Sequence, residues 1–109
     1  MNEVTLVQES YQLIKKDFGL EDQFNFKNED SNAGRLLDYL TKYINDLIDH
    51  DLNSLLNILY RIDISEIEVK NLLQNSKHGE IASKIANTVI EREKQKVITR
   101  QQYQQYQQY

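Results

Sequence analysis

The sequence predicts an all-α fold, a small helical bundle of four or five helices with a projecting C-terminal helix. The 109-residue chain contains no proline, so no helix interior is interrupted. Apolar residues recur at steps of three and four between Leu36 and Ile62, which is the period of an amphipathic helix. Such a stripe must be covered by other helices, and short turns favour antiparallel neighbours, so the pattern indicates a bundle.

The first predicted element is an amphipathic helix within residues 1–19, over roughly residues 3–18. Its apolar residues have the spacing of a coiled-coil seam. This N-terminal seam consists of Val4, Val7, Tyr11, Ile14 and Phe18. Gly19 is a natural helix stop. A lone helix of about sixteen residues is marginal in water, so it must dock on its own bundle or on a neighbouring molecule. The seam is therefore a candidate partner-binding surface and suggests a homodimer.

Residues 20–34 read as an acidic linker. The segment is rich in turn-forming residues and shows no clear period. It separates the N-terminal helix from residues 35–100, which we interpret as the helical bundle domain. Phe24 and Phe26 alternate with polar residues and could hold the linker against that domain.

The long apolar stripe is expected to break near Asp49. Asp51 is a good N-cap for a second helix that begins at Leu52. However, the stripe keeps its phase through this junction, so one continuous helix is also compatible with the sequence. In either case, the stripe predicts Leu47, Leu55 and Leu59 as core residues.

Two further helices follow. Ser65 and Glu68 form a capping-box pattern that predicts a helix from Glu66 to about residue 74. The last helix is predicted from Glu80 for at least twenty residues, with Val89 as its last strong core position. Its apolar content then decreases, so its end should project from the bundle. Residues 101–109 are three Gln-Gln-Tyr triplets, a low-complexity tail expected to be solvated.

Few residues carry catalytic or metal-binding chemistry. The absence of cysteine excludes disulfides and thiolate ligands, and the three glycines do not form a phosphate-binding loop. Asp46, Asp49, His50 and Asp51 are the one cluster with metal-ligand chemistry. A structural zinc site needs four ligands, whereas helix ends and an N-cap explain the same residues. We therefore expect no catalytic residue, no metal and no cofactor.

The charge distribution suggests a second class of function. Residues 80–109 hold five Lys or Arg side chains against three Glu, a net +2, so the total of −4 leaves −6 on residues 1–79. Arg92, Lys96 and Arg100 recur every four residues and form a basic row on the last helix. Such a row could bind phosphates of a nucleic acid. The acidic remainder would repel a polyanion, so nucleic acid is possible but disfavoured.

A polar corner separates two of the predicted helices. Tyr60 and Arg61 end one helix, while Asp63 and Ser65 begin the next. An arginine flanked by Asp and Tyr is typical of a hydrogen-bonded structural corner in which the guanidinium reaches helix-end carbonyls. The alternative is an anion or peptide-carboxylate site at Arg61.

The corner sequence Leu-Tyr-Arg-Ile-Asp-Ile-Ser at 59–65 is one of two recognisable segments. The other is Ile-Glu-Arg-Glu-Lys-Gln-Lys at 90–96, with the residues through Arg100. Together they make residues 35–100 resemble small uncharacterised helical proteins of bacteria, hypothetical proteins with no assigned function. The resemblance implies a bacterial, cytosolic origin. It provides no activity, cofactor or catalytic residue, and it does not cover the N-terminal helix or the tail.

These observations favour a non-enzymatic interaction or regulatory module. The N-terminus lacks the pattern of a signal peptide, and no apolar run approaches the roughly 20 residues of a membrane helix, so we expect a cytoplasmic protein without membrane contact. It would act through helix packing or self-association, with another protein or a second copy as partner. The alternative is a nucleic-acid-associated protein that uses the basic row.

Overall fold

A computed structural model describes residues 3–19 and 33–107, and it confirms the all-α bundle. The described residues form five helices: α1 (Glu3–Phe18), α2 (Ala33–His50), α3 (Leu52–Arg61), α4 (Glu66–Asn75) and α5 (Ile81–Gln107). A single 3-10 turn at His78–Glu80 leads into α5. Within the described ranges, no helix has the length and apolar content needed to cross a membrane.

The core is organised around α5. Both α1 and α2 pack extensively on α5, α4 also contacts it, and α3 lies against α2 and α1. Leu55 and Leu59 on α3 are fully buried, which confirms two of the three predicted core residues. Leu47, the third, packs against the core but is only partly buried.

The junction between α2 and α3 is a true helix break. Asp51 adopts a non-helical conformation (φ −157°, ψ 66°) and its side chain accepts a hydrogen bond from the amide of Ser54. This is the N-cap that the sequence predicts, and it shows that the long stripe spans two helices. The phase persists because both helices bury their apolar sides against the same core.

The end of α1 also follows from local chemistry. Gly19 has a φ of +64°, a left-handed conformation that glycine adopts without a Cβ penalty, and its amide bonds the carbonyl of Lys16. The predicted linker lies mostly outside the described residues, since residues 20–32 are not among them. The next helix begins at Ala33, two residues before the predicted start of the bundle domain.

The core extends further along α5 than its apolar content predicts. Val97 is 2% exposed, so Val89 is not the last core position. The helix then continues to Gln107, which makes residues 101–107 of the predicted tail helical. Exposure rises beyond Arg100, and Tyr103 is 64% exposed, so the end of α5 is the solvated part of the helix.

Two leucines on α3 provide a direct test of the core. Leu55→Ala should lower the free energy of unfolding by roughly 2–5 kcal/mol, because Leu55 is fully buried and its truncation leaves a cavity. Leu52→Ala is the matched control, since Leu52 is 43% exposed and should change stability by only about 0.5 kcal/mol. Urea titration measures both. Equal midpoints for the two variants would contradict the packing described here.

Candidate functional site

The contact between α1 and the second half of α5 contains a buried charged side chain, Glu93. The two helices run antiparallel. Asp17 at the end of α1 lies near Glu93, whereas Glu9 at the centre of α1 shares a groove with Arg100 and Gln104, which come later in α5. The C-terminal half of α5 therefore receives the N-terminal helix of the same chain.

The N-terminal seam docks on its own bundle. Tyr11, Ile14 and Phe18 are 4%, 0% and 5% exposed, and the rings of Phe18 and Tyr43 meet edge to face with centroids 5.9 Å apart. The side chains of Val4 and Val7 lie outside the described residues. Three predicted partner-binding residues are thus buried within the chain, because an unpaired apolar stripe is most stable when covered. They could meet a partner only if α1 left the bundle.

Beneath α1 lies a buried carboxylate that the sequence interpretation missed. Glu93 is 0% exposed, and neither of its carboxylate oxygens has a hydrogen-bond partner. The nearest cation is Lys96 on the next turn, whose Nζ lies 3.6 Å from Oε1. Ser10, the other fully buried polar side chain of the described residues, donates to the carbonyl of Leu6 at 2.7 Å. As a carboxylate, Glu93 therefore lacks a donor, whereas the protonated group can donate to the Asp17 carboxyl group.

The surroundings of Glu93 favour its neutral form. Burial raises the pKa of Glu93 from 4.5 to about 7. The charge of Lys96 opposes this shift, while a side-chain hydrogen bond with Asp17 and the charge of Asp17 add to it. Arg61 of α3 also reaches this region, but its Nη1 donates to the backbone carbonyl of Asp17 at 3.3 Å. The helix contact thus places two carboxyl groups opposite each other.

The register of α5 explains why Glu93 is buried. It lies four residues after Val89 and four before Val97, both of which are buried, so all three share one helix face. A search for polar residues within the apolar register would have found Glu93. It was missed because glutamate at such a position is usually assigned to the solvated face.

Arg92, the first residue of the basic row, forms a structural contact. Its Nη2 lies 3.1 and 3.0 Å from the two carboxylate oxygens of Glu68, and its Nη1 donates to the carbonyl of Asp63 at 2.6 Å. Glu68 thus binds α5 instead of completing the predicted capping box, although Ser65 still accepts from the Glu68 amide at 3.2 Å. The three contacts fasten α4 and the preceding corner to α5.

The rest of the basic row does not form one open surface. Lys96 lies beside Glu93, and Arg100 lines the groove between α1 and α5 with Glu9 and Gln12. The three cations thus approach carboxylates or polar groups of their own chain. Binding of phosphates or of a partner by this row stays a prediction.

The corner between α3 and α4 is a helix C-cap followed by an N-cap. Asp63 has a φ of +78°, and its amide bonds the carbonyl of Tyr60 while the amide of Ile64 bonds that of Leu59. This is a Schellman motif with aspartate at the position where glycine is usual. Tyr60 is 46% exposed, and Arg61 bonds the end of α1, which agrees with the structural interpretation of Arg61.

The Asp46–Asp51 cluster has local partners at the α2–α3 junction. His50 Nδ1 lies 3.0 Å from the Asp46 carbonyl. Asp51 accepts from the Ser54 hydroxyl at 2.6 Å and from the Ser54 amide at 3.2 Å, and these bonds lower the pKa of Asp51. Among the described residues, no three His, Cys, Asp or Glu side chains converge on one point.

Comparison with known proteins adds no relative: no family model, no curated protein and no solved structure matches the chain.

The burial of Glu93 predicts an unusual pH dependence of stability. Since the pKa of Glu93 is higher in the folded chain than in the unfolded one, folding takes up a proton between about pH 4.5 and pH 7. The Glu93 contribution is complete below this window and is lost as pH rises through it, by roughly 3 kcal/mol. Glu93→Gln should remove this loss, and denaturant titrations at several pH values measure it.

The matched control is Glu91→Gln, because the Glu91 side chain is 73% exposed on the same helix. It should retain the pH dependence of the parent protein. If the difference in stability between the parent and Glu93→Gln does not change between pH 4.5 and pH 8, Glu93 is ionised or exposed in the folded chain.

The contacts of Arg92 give a second prediction. Arg92→Lys should lower the free energy of unfolding by about 1 to 2 kcal/mol, because an ammonium cannot hold the Glu68 carboxylate and the Asp63 carbonyl with the same planar geometry. Arg100→Lys keeps the same charge at an exposed position and should change stability by less than about 0.5 kcal/mol. Indistinguishable effects of the two variants in urea titrations would refute the structural role of Arg92.

Proposed function

We propose that this chain is a non-enzymatic interaction module of the bacterial cytoplasm, in which α1 can be exchanged for a helix of a binding partner. The partner would be another protein or a second copy of the chain. The bundle formed by α2 to α5 provides the receiving surface, and α1 occupies that surface when no partner is bound. This is recognition of an amphipathic helix by a hydrophobic groove.

The observation that carries the proposal is the fully buried Glu93 beneath α1, whose carboxylate has no donor within hydrogen-bond distance. A contact selected only for permanent packing would bury an apolar residue at this position, because a buried carboxyl group without hydrogen bonds is costly. Once Glu93 is ionised, above about pH 7, it therefore weakens the docking of α1. The apolar contacts of Ile14 and Phe18 still hold the helix in place. A contact that combines buried apolar residues with a buried carboxyl group is suited to reversible docking of α1.

The position of α1 in the chain also supports exchange. Fourteen residues, 19–32, connect it to α2, and such a segment can span up to about 48 Å when extended. A partner helix must compete with an intramolecular one, whose effective concentration across a short connection is in the millimolar range. A partner helix can displace α1 against this effective concentration only if the contact between α1 and α5 is weak. We expect the buried Glu93 to weaken that contact.

The contacts of the basic row give less support to a nucleic-acid-associated protein. Arg92 is held by Glu68, and Lys96 lies beside Glu93, so each cation already has a carboxylate nearby. Phosphate binding would have to replace these internal contacts, and the −6 charge of residues 1–79 would oppose a polyanion. Exchange of α1 requires neither step.

Exchange can be tested with a labelled peptide of residues 3–19 added to the full chain. We expect saturable binding with a midpoint on the order of 1 mM, because the peptide competes with the chain's own α1 at its effective concentration. Fluorescence anisotropy measures the binding. The control peptide carries Ile14→Asp, which places a charge at a fully buried seam position and should abolish binding.

Hydrogen exchange on the full chain provides an independent measurement. Amides of α1 should exchange through a local opening with a lower free energy than those of Leu55 and Leu59 in α3. Equal opening free energies for α1 and α3, together with no binding of the parent peptide, would show that α1 is inseparable from the core and would refute the exchange of α1.

A further inference from the structure

We propose that the groove between α1 and the C-terminal part of α5 binds a small zwitterion, an apolar α-amino acid whose carboxylate contacts Arg100 and whose ammonium group contacts Glu9. This ligand site goes beyond the exchange of α1, and neither proposal depends on the other. The groove has a volume of about 350 Å³, which is at the lower end of the range for small-molecule sites. Its volume therefore suits a ligand of amino-acid size.

The two walls of the groove carry opposite charges. Arg100 lies on α5 and Glu9 lies on α1, and both side chains are exposed. Within residues 3–19 and 33–107, neither side chain forms an ion pair, with the other or elsewhere. Arg92 and Lys96, the other cations of the basic row, each lie beside a carboxylate. Arg100 is therefore the member of that row that is available to a ligand.

The rest of the lining completes a site for an amino acid. Leu13 is half-buried and Val97 is 2% exposed, so the groove has an apolar part that an aliphatic side chain can cover. Carboxamides, which both donate and accept hydrogen bonds, supply further polar groups: Gln12, Gln101 and Gln104. An apolar surface with a few polar groups around it is typical of small-ligand sites.

The two charges select a ligand that carries both signs. A guanidinium binds a carboxylate through two parallel hydrogen bonds, and a carboxylate such as Glu9 accepts from an ammonium group. Glu9 would repel a phosphate, and Arg100 would repel a purely cationic ligand, so each charge also excludes one class of competitor. An α-amino acid carries its two charged groups on one carbon atom, so one groove can hold both while the side chain covers Leu13 and Val97.

A ligand in this groove would contact α1 and α5 together. It therefore binds only while α1 is docked, and it stabilises the docked state by mass action. At a ligand concentration of ten times the Kd, the protection of α1 amides from hydrogen exchange should rise about tenfold. This readout distinguishes binding between the two helices from binding elsewhere on the bundle.

The ligand chemistry can be tested with L-leucine and two matched probes. We expect L-leucine to bind the full chain with a Kd on the order of 1 mM, as is reasonable for so small a ligand. The probe 4-methylpentanoate lacks the ammonium group, and 3-methylbutylamine lacks the carboxylate. Each should bind at least about tenfold more weakly, because one charge-assisted contact is lost. NMR titration at constant ionic strength measures all three affinities.

Variants of the full chain locate the site. Arg100→Gln and Glu9→Gln should each weaken the binding of L-leucine about tenfold or more. Both side chains are exposed, so these variants should remain folded. The matched controls are Lys70→Gln and Glu91→Gln, which change the same charges at positions that are 65% and 73% exposed and do not line the groove. They should leave the affinity for L-leucine unchanged.

Each contrary outcome would overturn the zwitterion site. Equal affinities for L-leucine and either matched probe would show that the groove does not use both charges. Unchanged affinity in Arg100→Gln or Glu9→Gln, or binding without a rise in α1 protection, would place the ligand elsewhere. Absence of L-leucine binding would refute the site directly. None of these outcomes bears on the exchange of α1, which the peptide titration tests.

Discussion

The fold depends on α5, whose single apolar face packs against α1 and against the other helices of the bundle. Its first half buries Ile85 and Val89 in the core, and its second half continues the same face through Glu93 to Val97 beneath α1. Because the face is continuous, α1 and the remaining helices share one helix as their common support. A change at Val97, which lines a groove with Glu9 and Gln12 of α1, therefore acts on the docking of α1.

The local elements of the fold could be predicted from the sequence because their causes are local. Asp51 and Ser65 cap the helices that follow them through bonds to residues three positions away, and Gly19 ends α1. Each signal lies within one helical turn of its effect. The spacing of three and four residues likewise identifies Leu55 and Leu59 as core residues without knowledge of their partners.

The candidate site could not be predicted in the same way because its contacts join distant parts of the chain. Arg92 bonds Glu68, 24 residues earlier, and Glu93 is covered by a helix from the other end of the chain. The sequence shows a basic row at steps of four but not that its first member is held by α4. Similarly, the N-terminal seam requires a cover, but its pattern fits a helix of the same chain and a helix of a partner equally well.

These nonlocal contacts differ in chemistry between the α4–α5 contact and the α1–α5 contact. Arg92 fastens the α3–α4 corner to α5 through three hydrogen bonds that each involve a charged donor. At the α1 contact, the next residue of α5 is a buried carboxyl group, Glu93, whose carboxylate has no donor and which lies near the carboxyl group of Asp17. Adjacent residues of α5, Arg92 and Glu93, thus make different kinds of contact: an ion pair with α4 and a buried carboxyl contact with α1. The proposed exchange of α1 from a bundle that stays folded would use this difference.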